Sequence, residues 1–165
     1  MRLAALTTPL LAMALALAGC QALGPLPDVS SQPHATIAGT HVDVDGDRID
    51  TWRVLEVDGH DVLPSTDQPY KLFGHDHATL VAAGRGVRVE VEGLAFYSNT
   101  VRRMFWDPMH VQGVVEFVPV AGASYVVRGS VSPELSSVWI ENADTHEPIG
   151  RRISAPGRAA SAPAQ

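Results

Sequence analysis

Val87-Arg88-Val89-Glu90-Val91-Glu92 alternates valine with a charged residue at every step. Successive side chains on an extended strand point to opposite faces, so this run reads as a strand with one face in a core and one toward water. Reading outward, Arg48 to Val57 carries Ile49, Thr51, Arg53, Leu55 and Val57 against Asp50, Trp52, Val54 and Glu56. Asp58-Gly59 then marks a tight turn, and Asp61 to Leu63 starts a return strand. Ala35 to His41 and His77 to Ala82 are short β-compatible stretches. Val114 to Val120 and Tyr125 to Val131 flank Ala121-Gly122, which reads as a hairpin, and Ser137 to Glu141 completes the series. Gly84-Arg85-Gly86 reads as a turn between strands. Helical periodicity is weak throughout. About seven to eight short strands separated by turns predict an all-β fold, a small antiparallel β-sandwich. The connection from Tyr97 to Gly113 holds Phe105, Trp106, Pro108 and Met109 and is too apolar for a simple solvated loop.

The chain has 165 residues, 12 Lys plus Arg, 18 Asp plus Glu and one cysteine, for a formal net charge of −6. An acidic balance argues against a nucleic-acid partner, which needs a basic face. A lone cysteine excludes a disulfide scaffold and multi-cysteine zinc or iron–sulfur sites. With 45% hydrophobic and 18% charged residues, the chain has the composition of a folded protein.

Arg2 precedes an apolar stretch from Leu3 to Ala18, interrupted by Thr7, Thr8 and Pro9. This is the pattern of a secretory signal peptide; it falls short of the about 20 apolar residues of a spanning helix. The stretch ends Leu17-Ala18-Gly19-Cys20, which resembles the lipobox of bacterial lipoproteins. That resemblance implies cleavage before Cys20, a diacylglycerol group on its thiol and an acyl chain on the new amino group. It also implies a location at the periplasmic face of the outer membrane, since Gln21 stands where an Asp marks inner-membrane retention in enteric bacteria. The expected organisation is a lipoprotein signal peptide (1–19), a lipidated Cys20 with a flexible tether (20–34), a β-sandwich (35–152) and a disordered tail (153–165).

A second resemblance covers most of Thr51 to Glu147. Val57-Asp58-Gly59, then Leu72, Gly74 and His77, then Phe117, Gly122 and Tyr125, then Val138-Trp139-Ile140 with Thr145 and Glu147, are similar to a pattern in small proteobacterial lipoproteins with a transthyretin-like or PEGA-like β-sandwich. Phe73 replaces a proline of that pattern, the histidine is displaced by one residue, and Asn142 replaces an aspartate.

His75 and His77 form a His-x-His pair, and alternate strand residues share a face, so both imidazoles would reach one ion. His60 or His110 would complete the set, with Asp61 as a further ligand or partner; zinc or copper suits such a site. The competing reading places His75 and His77 as exposed residues of a polar turn after Gly74. Asp43, Asp45 and Asp47 around Gly46 resemble a calcium loop, but an EF-hand needs its Gly at position six and Glu at position twelve, where this chain has Arg48 and Val54. The Asp-Gly signal favours a hairpin instead. No Gly-x-Ser-x-Gly is present, and Ser98, Ser124, Ser130, Ser136 and Ser137 fall into no triad spacing. Glu90 and Glu92 read as a solvated strand face. Trp52, Phe117, Tyr125 and Trp139 read as core, whereas Phe96, Tyr97, Phe105 and Trp106 would cap an open end or form an apolar patch. The function expected is a non-enzymatic binding or envelope-structure module held on the membrane through Cys20, with an envelope protein as partner. A periplasmic metal-binding protein using His75 and His77 is the alternative, and a small envelope hydrolase the second.

Overall fold

The structure is a computed structural model and describes residues 24–62, 78–97 and 109–156. These residues form ten strands: β1 (His34–Ala38), β2 (Thr40–Asp43), β3 (Arg48–Val57), β4 (His60–Asp61), β5 (Thr79–Ala82), β6 (Val87–Tyr97), β7 (His110–Phe117), β8 (Ser124–Ser130), β9 (Ser136–Asn142) and β10 (Pro148–Ala155). Two sheets result, with orders β10-β9-β8-β1-β5 and β2-β3-β6-β7, and β4 pairs with β3. The all-β sandwich predicted from alternation is the fold observed. All pairs are antiparallel except β1 with β8, which run parallel.

The alternation of β6 does what its sequence demands. Val87, Val89, Val91, Ala95 and Tyr97 are buried inward, while Arg88 and Glu90 face out. Trp52 on β3 lies opposite Gly93 of β6 and reaches across to β8. A Cβ added at Gly93 would sit 2.9 Å from the indole Cδ1, and one at Gly129 only 2.1 Å from Nε1. The two sheets therefore approach through an aromatic ring set on bare glycine backbone. At Gly39 the chain leaves one sheet as β1 and enters the other as β2; a Cβ there would lie 2.9 Å from the carbonyl oxygen of Trp52. The far rim is closed by Arg48, whose guanidinium grips the buried Asp50 at 2.7 and 2.8 Å and donates to the carbonyl of Val131, the residue that follows β8 of the opposite sheet.

Three sequence expectations are corrected. The Ala121-Gly122 turn does not join a hairpin: β7 pairs with β6, whereas β8 pairs with β9 and β1. Pro119, fully buried and lacking an N–H, ends the β7 ladder and sends the chain across to the other sheet. The sandwich also extends past residue 152, because β10 runs to Ala155. Ile149 and Ile153 pack on the core, and a bulge at Gly150 (φ 67°) separates them, which breaks the period-two signal. Finally, residues 24–33 are not a free tether. Leu26 packs against the core, and the Ala83 N–H donates to the carbonyl of Pro33 at 2.9 Å.

Gly129→Ala is expected to destabilise the fold by at least about 1–3 kcal/mol, because the added methyl meets both the indole and the Ser137 carbonyl. Urea unfolding followed by tryptophan fluorescence checks this; an unchanged midpoint would contradict the packing described.

Candidate functional site

One end of the sandwich is knit together by backbone. Asp58 and Gly59 both have positive φ (53° and 82°), the geometry of a tight hairpin turn between β3 and β4. Asp58 accepts from the Arg88 N–H at 2.9 Å and pairs with Arg85 at 2.8 Å. The Gly84 N–H donates to Pro119 and the Gly122 N–H to His34. The N-terminal segment joins this end: His60 Nδ1 donates to the Gly24 carbonyl at 2.9 Å. Leu26, Pro27 and Val29 roof a cavity of about 220 Å³ over Val57, Leu80 and Val81. The Asp58–Arg85 pair stands at its wall.

Each sheet carries a nearly buried glutamate on its outer face. Glu92 lies opposite Arg53 in register and takes Arg53 Nε at 2.7 Å on Oε2 and His110 Nε2 at 2.9 Å on Oε1. Glu141 takes Trp139 Nε1 at 3.0 Å, Arg128 Nε at 3.3 Å and His146 Nδ1 at 3.4 Å. Burial alone would raise the Glu141 carboxyl, but the hydrogen bonds from Trp139, His146 and Arg128 outweigh it and hold it below the ordinary carboxylate value. Glu56 goes the other way. Burial, then the charges of Glu90 and Asp61, push it up. Glu92 and Glu141 are fastened into side-chain networks that join neighbouring strands, which is a structural use of charge.

His110 is thus a partner of Glu92, and His60 a partner of the N-terminal segment. His60 pairs at the level of Val57 and Val89, and His110 opposite Leu94. Five residues along β6 separate those levels, about 17 Å at the strand rise, so the two imidazoles cannot serve one ion together. His75 and His77 lie outside the described residues, as do Phe105 and Trp106. Asp43, Asp45 and Asp47 sit on the β2–β3 hairpin. The Asp43 carboxylate accepts from the Gly46 N–H at 2.7 Å, and that of Asp45 from the N–H groups of Asp47 and Arg48 at 3.1 and 2.8 Å. The Asp43 and Asp45 carboxylates stabilise the turn, as the hairpin reading expects, and among the described residues no three His, Cys, Asp or Glu side chains group to hold a metal ion. Trp52 and Tyr125 are core, but Trp139 is not: it lies on the outer face with Arg152 stacked 3.8 Å over its ring. Glu92 was legible only as a polar-face residue, because the arginine and histidine that cover it come from neighbouring strands.

Comparison with protein-family models, with curated proteins and with solved structures finds no match to this chain.

A lowered carboxyl stabilises the fold above its unfolded value, about 4.3, and that contribution is lost as pH falls through its folded value. Glu141→Gln is therefore expected to cost about 1 kcal/mol at pH 7. The gap from the parent should close below the ordinary carboxylate range in urea titrations. Glu56→Gln removes a charge that the fold disfavours and should be neutral or stabilising at pH 7 by a few tenths of a kcal/mol, about the scale of a surface pair; a clear loss of stability would contradict the repulsion described.

Proposed function

We propose that the chain is a lipid-anchored protein of the bacterial envelope, at the periplasmic face of the outer membrane, in which the acidic β-sandwich serves as a non-enzymatic binding or structural module. The observation that carries this reading is the place of the lone cysteine. Cys20 directly follows an apolar run and the small residues Ala18 and Gly19, and it stands four residues before Gly24, where the chain fastens to the sandwich through His60. Acylation at that thiol and amino group would supply three chains, well beyond the marginal hold of one. The excess of acids in the body disfavours flat adsorption on anionic headgroups, so the anchor supplies the membrane attachment.

The opposite end of the sandwich supports the binding role. Val42 and Val44, 47% and 51% exposed, lie on the β2–β3 hairpin, and Leu135, 57% exposed, on the β8–β9 turn. Arg48 joins these two turns by donating to the Val131 carbonyl. Apolar side chains held in a fixed arrangement, away from the anchored end, suit contact with an envelope protein.

Cys20→Ser is expected to move the protein from the sedimented membrane fraction to the soluble fraction after cell lysis without detergent. Retention of the variant in membranes at the parental level would contradict the anchor.

A further inference from the structure

We infer that the end of the sandwich carrying Val118 and Val120 is a lipid-contacting face, seated on the membrane that holds the acyl chains. The inference rests on the Cys20 anchor proposed above and deepens it. Covalent geometry limits the reach: from Cys20 to Gly24 the chain spans at most about 14 Å. Gly24 is fastened at His60, the first residue after the Asp58-Gly59 turn. By contrast β3 runs ten residues, about 33 Å at the strand rise. The acyl chains are therefore leashed to one end of the sandwich and not the other.

That end presents the chemistry a lipid surface takes. Val118 and Val120 are 59% and 65% exposed, more than any other large hydrophobic side chain among the described residues. They flank Pro119, which is fully buried. The arch bearing them is fixed: the Val120 N–H donates to Tyr125 Oη at 3.1 Å, and Tyr125 stacks edge-on against Phe117 with ring centroids 5.1 Å apart. The Pro119 carbonyl accepts from Gly84, one residue before Arg85, whose side chain is 58% exposed. Two valines held outward beside the exposed Arg85, which is paired with Asp58 at 2.8 Å, set an apolar tip next to a polar rim, as the two layers of a bilayer interface require. The same backbone bonds tie this arch to His34 and Pro33, so the leash and the apolar tip belong to one rigid end.

The test uses the acylated full-length chain, purified in detergent and reconstituted into phosphatidylcholine–phosphatidylglycerol vesicles. An environment-sensitive fluorophore is placed through Val118→Cys or Val120→Cys, with Val44→Cys and Leu135→Cys as controls at the other end. The expected result is a blue-shifted emission at 118 and 120, quenched at least twofold by doxyl-labelled lipid, with no quenching at 44 and 135. Vesicle-bound protein whose probes at 118 and 120 stay aqueous overturns the lipid contact and leaves the anchor standing. Blue-shifted emission without lipid quenching also overturns it, by marking a contact with a second copy. A chain that carries no acyl group and does not float with vesicles overturns anchor and contact together.

Discussion

The indole of Trp52 rests on backbone that carries no side chain, and the spacing of the two sheets depends on that contact. Gly93 in its own sheet and Gly129 in the opposing one leave the room, and any Cβ at Gly129 would occupy the space of the ring. The indole N–H is buried there with no hydrogen-bond partner among the described residues. Leaving a donor unpaired costs about 1–3 kcal/mol, offset by the large apolar area that a buried tryptophan removes from water. Gly39 lets the chain pass over the Trp52 carbonyl from β1 in one sheet to β2 in the other, and Arg48, held by Asp50, ties the sheets at one rim by donating to the Val131 carbonyl. The valine layers of β6 and β7 fill the interior so defined.

With the interior committed to aliphatic and aromatic packing, ionisable groups are left to the faces and the ends. On the faces they are spent on each other, with one glutamate per sheet covered by an arginine and a histidine from neighbouring positions. The ends are different. One carries the N-terminal segment and the exposed valines of the β7–β8 arch, the other the exposed valines of the β2–β3 hairpin and Leu135. Exposed apolar side chains are thus found at both ends of the sandwich, while the ionisable groups of the faces are largely paired.

Much of this was readable from side-chain alternation. The β3 span, the Asp58-Gly59 turn, the β6 strand and the hairpin at Asp43 to Asp47 follow from period-two patterns and turn chemistry, which are local. What alternation does not carry is non-local. Val114 to Val120 and Tyr125 to Val131 alternate in the same way whether they pair or cross between sheets, so the arch at Ala121-Gly122 looked like a hairpin. In β10, a bulge and two exposed arginines between Ile149 and Ile153 hid an edge strand. Leu26 among prolines looked like a linker, although an apolar residue held by two prolines is well suited to pack. Residue type alone groups the histidines, whereas the register places His60 and His110 at different levels and gives each its own partner.

The proposed membrane attachment requires Cys20 to be the first residue of an acylated mature chain. The direct measurement is the intact mass, with fragmentation of the N-terminal peptide, of protein extracted from bacterial membranes. The expected result is a chain beginning at Cys20 that carries diacylglycerol on sulfur and an acyl group on nitrogen. An unmodified cysteine, or a mature N-terminus at another residue, would contradict the account.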